Sequence, residues 1–256
     1  MQRLSSIGRI FYGVGIAGIG WLHFFYPGFR PVVLPVPPES TQHINFLVYT
    51  TAAILIVAGI AIAVGKYVRP VALFLGTFLL LFVILGHLPN RLANFPNILG
   101  AWTDALKLLT LSGGALLIST CYPGKSSNSI VAVVEKIAPY GKYFFALMLV
   151  IFGIDHFIYT DFVKTLVPVW IPGHLFWTYV GGIALAGSGL AIFIGFKPAT
   201  IGLLLATMLF LWLILLHIPR AVIAPPSDNG NEWTSVLECL AFGGIALLYA
   251  MGSKKN

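Results

Sequence analysis

Long uncharged apolar segments are the feature that most constrains the fold of this chain. Five of them reach the roughly 20 residues that a helix needs to cross the hydrocarbon of a bilayer. Only 9% of the residues are charged, whereas soluble domains carry about a quarter. Backbone polar groups in lipid must be paired within a helix or a closed barrel, so we predict transmembrane helices. The five segments are Ile10–Phe29, Ser40–Gly65, Pro70–Asn90, Thr165–Phe196 and Pro198–Pro219.

Three further apolar segments each carry one or two ionisable residues. They are Gly100–Thr120, Gly141–Tyr159 and Glu232–Met251. With them, the sequence predicts an all-α integral membrane protein with eight transmembrane helices. The first apolar segment is long and no small-x-small cleavage site follows it, so we expect that it is not a cleaved signal peptide.

The six histidines lie at matched positions in the two halves of the chain. His156 follows His23 by 133 residues, and the last pair, described below, is offset by 130. Around the first pair, Gly20–Phe29 and Gly153–Phe162 share their Gly, His, Phe, Tyr and final Phe. The chain has no other histidine, so the pattern indicates a tandem duplication of a unit of about 125 residues. The matched pairs are His23 with His156, His43 with His174, and His87 with His217.

The duplication predicts how the chain is organised. We expect a first four-helix repeat over residues 1–121 and a second over 141–256, joined by a linker at 122–140. The linker is predicted to be a loop with one interfacial turn around Val131–Val134. Because four spans is an even number, both repeats enter the membrane in the same sense. They should therefore form two parallel four-helix bundles related by an axis along the membrane normal.

The basic residues predict the orientation in the membrane. Ten of them fall on the side of the termini and four on the opposite side, which places both termini in the cytoplasm by the positive-inside rule. The net charge of +7 then reflects topology and contact with anionic lipid rather than nucleic-acid binding. The ten are Arg3, Arg9, Lys66, Arg69, Lys125, Lys136, Lys142, Lys197, Lys254 and Lys255, and the four are Arg30, Arg91, Lys164 and Arg220.

In this topology all six histidines lie at the outer membrane face, where they are candidate ligand-binding residues. His23, His87, His156 and His217 end the first and third spans of their repeats, whereas His43 and His174 begin the second spans. A proline follows both His87 and His217 and is expected to stop the helix. An arginine lies three or four residues after each histidine, at Arg91 and Arg220, and either meets an anionic group or extends to the interface.

Several chemistries suit these histidines. Pairs on different helices can hold a haem axially, and three imidazoles can bind copper or zinc. Histidine can also hydrogen-bond a quinone and exchange protons near neutral pH. A structural cap at the helix end is the alternative. No Cys, Met or carboxylate recurs beside them, so we favour quinone over haem or metal. We assign no metal site; His23, His87, His156 and His217 are the candidates for one.

Four ionisable residues lie inside predicted spans: Asp104, Lys107, Asp155 and Glu238. Asp104 and Lys107 are three residues apart, close enough to pair on one helix face. Lys107 aligns with Glu238 in the second repeat. Charges in a span usually face the protein interior or a wet cavity. They therefore predict either a structural ion pair of Lys107 with Asp104 or Glu238, or a proton or ligand site open to the outer face.

Short motifs give the unit a family resemblance. Gly20-x-x-His23-Phe24 recurs as Gly153-x-x-His156-Phe157, each loop contains a Val-Pro pair, and the second span is rich in glycine. In these features the chain resembles the DoxX-like family of bacterial membrane proteins, here in tandem. The resemblance implies a bacterial inner membrane and an association with membrane-anchored oxidoreductases, notably thiosulfate:quinone oxidoreductase subunits. It assigns no catalytic residue. The Val-Pro pairs are Val36-Pro37 and Val167-Pro168, and the glycine-rich stretch is Gly181–Leu190.

Together these observations predict a membrane subunit of a quinone-linked oxidoreductase. It would bind quinone near the outer face while a partner protein supplies electrons, or it would act as a homo-oligomer. One alternative is a non-catalytic anchoring or assembly subunit whose histidines are structural. The other is a small-solute or proton carrier that uses the charges inside its spans.

Overall fold

The computed structural model describes residues 2–36, 44–124 and 128–252, and within these ranges the chain is helical without strands. The long helices of the first half are α1 (Gln2–Leu22), α2 (Asn45–Val64), α3 (Val68–Phe82) and α5 (Thr103–Thr120). Those of the second half are α7 (Gly141–Ile158), α9 (His174–Ile194), α10 (Pro198–Trp212) and α12 (Asn231–Gly252). The short helices are α4 (Leu88–Asn94), α6 (Ser129–Ile137), α8 (Thr160–Val163) and α11 (Ile218–Ile223).

The chain is a multi-pass helical membrane protein by the length and composition of its helices. Within the described ranges, six continuous helical stretches are long and apolar enough to cross a bilayer. Helices α1 and α5 are not among them. The six are Asn45–Val64, Val68–Asn94, Ser129–Ile158, His174–Ile194, Pro198–Ile223 and Asn231–Gly252.

Helix α5 is less apolar because protein rather than lipid surrounds it. Most of its residues are buried, including three with hydroxyl groups. Ser112 donates to the carbonyl of Gly76 on α3 at 2.7 Å, and Leu111 accepts from the Tyr12 hydroxyl on α1 at 2.6 Å. These polar groups therefore bond to neighbouring helices, and the hydroxyl of Ser119 bonds a carbonyl of α5 itself, so each is paired as hydrocarbon requires.

The eight long helices pack in a closed ring. Around it, α1 contacts α2, α2 contacts α3, α3 contacts α5 and α5 contacts α7. The second half continues from α7 to α9, α10 and α12, and α12 closes the ring on α1. Helices α5 and α12 also touch each other across the centre. The fourth long helix of each half therefore packs against the first long helix of the other half.

Two pairs of glycines bring helices of the two halves into close contact. Gly8 on α1 lies against Gly244 on α12, and Gly141 on α7 lies against Gly113 on α5. A Cβ on any of the four would collide with the carbonyl oxygen of its partner glycine. Small residues let helix backbones approach in this way. Gly8 and Gly141 are 133 residues apart, and Gly113 and Gly244 are 131 apart, so matched positions make matched contacts.

His23 was predicted to end the first span, and α1 ends beside it at Leu22, although the apolar segment continues to Phe29. Pro27 and Gly28 then turn the chain, and Gly28 has a φ of 76° that favours glycine. The linker was expected to hold one turn around Val131–Val134. It contains the nine-residue α6, which begins where the Asn128 side chain accepts from the amides of residues 130 and 131.

The prediction that proline ends the third span of each half is also wrong. A five-residue π-helix follows α3 at Val83–His87, and another follows α10 at Leu213–His217. The chain then continues into α4 and α11, with Pro89 and Pro219 in their first turns. The wider π turn displaces the carbonyl that a proline ring would strike in a regular helix. Both π segments end at a matched histidine.

Candidate functional site

Most candidate residues gather at one end of the ring, which we call the histidine end. Helices α1, α3, α7 and α10 run towards it, whereas α2, α5, α9 and α12 start there. Two contacts between the halves lie at this end. The Tyr26 ring lies against Gly230, and the Tyr159 hydroxyl accepts from the Gly100 amide at 3.1 Å. His174 begins α9 as predicted. His43 and Pro37 lie outside the described residues.

In the first half, His23 holds the loop that follows α1. Its Nδ1 lies 2.8 Å from the carbonyl oxygen of Ile19, and its Nε2 accepts from the backbone amide of Arg30 at 3.2 Å. Because a backbone N–H can only donate, the bond identifies Nε2 as the unprotonated nitrogen and Nδ1 as the donor. His23 is therefore a buried neutral ring with both nitrogens bonded.

His87 holds the same loop from the other side. Its Nε2 donates to the Val32 carbonyl at 3.0 Å, and the side chain is fully buried. His23 and His87 thus converge, as a shared site requires, but they converge on the chain's own backbone. Between them the loop buries Phe29, Val32 and Val33 in the core.

Arg30 extends this loop to the second half. Its side chain is fully buried, and its guanidinium donates to the carbonyls of Asn229 and Pro27 and lies 5.2 Å above the Tyr26 ring. Asn229 belongs to the turn that precedes α12. Nothing in the sequence indicated this role, since Arg30 was interpreted only as an outer basic residue. The sequence feature that could have indicated the inward loop was Gly28, because it marks a turn inside an apolar segment.

In the second half, the equivalent histidine, His156, has one ring nitrogen without a hydrogen-bond partner among the described residues. His156 Nδ1 donates to the Phe152 carbonyl at 2.7 Å, as His23 does to Ile19. Within the described chain, His156 Nε2 has no hydrogen-bond partner. The ring stacks on Trp212 of α10, with centroids 6.3 Å apart and planes 18° apart. His156 therefore presents a hydrogen-bond acceptor beside a flat aromatic wall.

The second-half loop stays at the surface. Phe162, the counterpart of Phe29, is 65% exposed, whereas Phe29 is 3% exposed. The loop forms α8 and a 3₁₀ turn at Lys164–Leu166, and its ion pair is the exposed contact of Lys164 with Asp161 at 2.6 Å. The hydrogen bond from Lys164 holds the pKa of Asp161 below its usual value. None of residues 162–166, which match residues 29–33 of the first half, is buried.

The remaining matched pairs also differ between the halves. Nδ1 is buried without a partner among the described residues in both His87 and His217. His87 Nε2 donates to the Val32 carbonyl, whereas His217 makes no hydrogen bond to the described residues.

Arg220 forms a two-point ion pair with Glu232 through Nε and the terminal nitrogen. Arg91 instead lies 5.8 Å from the centre of the Phe95 ring. The two arginines therefore follow matched histidines but have different partners.

The predicted pairing of Lys107 is confirmed, and it involves both candidate acids. Lys107 Nζ lies 3.1 Å from Oε2 of Glu238 and 3.4 Å from Oδ1 of Asp104. The pair joins α5 to α12, the two helices that meet at the centre of the ring. A cavity of about 340 Å³ opens beside it. Its lining consists of Pro31, Val32, Asp104, Lys107, Asn231, Thr234, Ser235 and Glu238.

Asp155 stands apart from this cluster. It is buried on α7, and neither carboxylate oxygen has a hydrogen-bond partner within the described ranges. The same ranges contain no group of three or more His, Cys, Asp or Glu residues that could hold a metal ion. Three places therefore hold most of the candidate residues: the filled first-half site, the open second-half site and the central ionic cluster.

Comparison with known proteins adds no family to this description. The chain matches no family model, no curated protein and no solved structure. What the protein does must therefore be argued from the geometry of these three places.

Proposed function

We propose that the chain spans the membrane eight times as two four-helix repeats, with both termini in the cytoplasm. Helices α1 and α5 would complete the six apolar stretches, because they occupy in the first half the positions that α7 and α12 hold in the second. The reciprocal glycine contacts support a pseudo-twofold axis along the membrane normal, since Gly8 meets Gly244 as Gly141 meets Gly113. The ten-to-four distribution of basic residues supports the orientation. The histidine end then faces outward.

We further propose that the protein is a DoxX-like subunit of a quinone-linked oxidoreductase in a bacterial inner membrane. An electron-donating partner protein would reduce the quinone, which takes two electrons and two protons to become the quinol. The binding site would lie in the second half, at His156. The first-half site is excluded from this role because residues 29–33 fill it.

The open Nε2 of His156 is the observation that carries the proposal. With Nδ1 donating to Phe152, Nε2 can only accept a hydrogen bond in the neutral ring. A quinol offers a hydroxyl donor, whereas a quinone offers only acceptors. The flat surfaces nearby suit a ring: Trp212 stacks on His156, and Phe157 stacks on Tyr179 with centroids 5.4 Å apart. The site should therefore bind the reduced form more tightly than the oxidised form.

Binding of short-chain ubiquinol and ubiquinone to the protein in lipid nanodiscs tests this proposal. Quenching of tryptophan fluorescence would report occupancy, because Trp212 borders the site. We expect saturable binding with quinol preferred. His156→Phe keeps an aromatic ring but removes the acceptor and should weaken quinol binding roughly tenfold to a hundredfold, the equivalent of one lost hydrogen bond to a buried group.

His174→Phe is the matched control, because His174 lies in the same half and contacts neither His156 nor Trp212 through any hydrogen bond or ring contact among the described residues. It should leave quinol affinity unchanged. Absence of saturable binding, or equal affinity in wild type and His156→Phe, would overturn the quinone proposal.

A non-catalytic anchoring or assembly subunit is the second candidate, and the first half favours it. There His23 and His87 both bond the backbone of one loop and serve structure alone. Failure of the binding experiment would leave this candidate, with the partner protein as the object of the anchoring.

A further inference from the structure

The central cavity is a second place where a ligand can bind, and it is separate from His156. It lies at the histidine end between α5, α12 and the inward loop of the first half. Its volume of about 340 Å³ has room for about ten water-sized groups, at roughly 30 Å³ each. Pro31 and Val32 form an apolar wall, while the residues from α5 and α12 form a polar one.

The polar wall carries more negative than positive charge. Lys107 offers one positive charge, whereas Asp104 and Glu238 offer two negative charges. Charges just outside the cavity balance one another. Arg30 and Arg220 bring two positive charges, Asp228 and Glu232 bring two negative charges, and Arg220 pairs with Glu232. The cavity is therefore left with one unbalanced carboxylate when both of its acids are ionised.

Glu238 is the acid with unused capacity. Its side chain is 3% exposed, and while Oε2 contacts Lys107, Oε1 is buried without a partner in the described chain. A buried carboxylate oxygen without a donor is costly, so structures usually pair it. Nearby, the side chains of Asn231 and Ser235 also line the cavity and make no hydrogen bond to the described residues.

We propose that this cavity binds a small organic cation with a primary ammonium group. The ammonium would donate to Glu238 and to Ser235, and its methylene groups would lie against Pro31 and Val32. An ammonium group has three donors and no acceptor, which matches a wall whose unused oxygen is a carboxylate. A small organic anion fits poorly, because two carboxylates already neutralise Lys107.

Isothermal titration with 1,4-diaminobutane, on the protein in nanodiscs of neutral lipid, tests this inference. We expect saturable binding that tetramethylammonium, which has no N–H donor, does not compete for at matched ionic strength. Glu238→Gln should weaken the binding roughly tenfold to a hundredfold, as expected for the loss of a hydrogen bond to a charged group. Lys107 keeps Asp104 in this variant, so the fold should persist.

Two variants make the result decisive. Glu232→Gln removes an acid from the same helix that does not line the cavity, and it should leave the affinity unchanged. Ser235→Leu should fill the cavity and abolish binding with every cavity charge in place. No saturable binding of the diamine, or equal loss in Glu232→Gln and Glu238→Gln, would overturn the inference. Quinol binding at His156 does not depend on these residues, so either proposal can fail alone.

Discussion

The two halves of the protein contain the same histidine in the same setting and use it differently. His23 and His156 both donate from Nδ1 to the carbonyl four residues earlier. In the first half, the next loop turns inward and gives Nε2 its partner, the amide of Arg30. In the second half, the loop stays at the surface and no described residue forms a hydrogen bond with Nε2. One copy of the site is closed by the protein itself, and the other is accessible.

Because the two sites are built alike, the loop that fills the first-half site indicates which ligand would fit the second-half site at His156. The first-half loop supplies His23 with an N–H donor, and it places the aromatic ring of Phe29 between His23 and Phe82. A ligand that fills the second half should have the same two properties, a hydrogen-bond donor attached to a flat apolar ring. A quinol has both.

The largest expected difference between the halves concerns the two matched phenylalanines. Phe29→Ala should reduce the free energy of unfolding by about 3–5 kcal/mol, because it leaves a cavity in the core. Phe162→Ala should change it by less than about 0.5 kcal/mol, because that ring is exposed. Denaturant unfolding of both variants in the same mixed micelles measures the difference. Equal losses would mean that the second-half loop also packs inward.

The central ion pair should show the next largest effect. Lys107→Met leaves Glu238 buried without its positive partner, which should cost about 3 kcal/mol of unfolding free energy. Glu238→Gln added to that variant should recover part of the loss, because it removes the unpaired charge. Thermal unfolding of the single and double variants checks this. Unchanged stability of Lys107→Met would show that its ammonium group is hydrated rather than paired.

Local patterns made part of this architecture predictable. Apolar length predicted the helices, whereas the equal halves predicted from the spacing of the matched histidines stay a prediction. The ion pair of Lys107 was predictable because charges in a span need partners. These features depend on residues within one helix or on one repeat aligned with the other.

The features that sequence reasoning missed depend on how a loop folds in three dimensions. The end of the first span at His23 was predicted, but the residues after α1 are as apolar as the helix itself, so hydropathy did not reveal that they turn inward. The proline after each π-helix was expected to end the helix, since the widened turn that accommodates it has no sequence signal of its own. The asymmetry of the two loops was equally hidden, because Phe29 and Phe162 are identical residues at matched positions.

Substitution of the two matched histidines, His23 and His156, should change the free energy of unfolding by different amounts, and this difference should be smaller than the two above. His23→Phe leaves the buried amide of Arg30 without an acceptor and should cost about 1–3 kcal/mol. His156→Phe has no such amide to leave unpaired and should cost less than about 1 kcal/mol. Unfolding without added quinol compares the pair. A loss in His156→Phe as large as in His23→Phe would mean that His156 is structural too.

The smallest expected difference concerns the two arginines after the third long helices. Arg220 and Glu232 form a two-point pair, but both side chains are partly exposed, so their coupling energy should be at most about 1 kcal/mol. A double-mutant cycle with Arg220→Met and Glu232→Gln isolates that coupling, and added salt should reduce it. In the first half, Ala101 stands at the position that matches Glu232. The effect of Arg91→Met on the free energy of unfolding should therefore not depend on salt. A salt-dependent loss in Arg91→Met would reveal a carboxylate partner in the first half and would make the two halves more alike at this position.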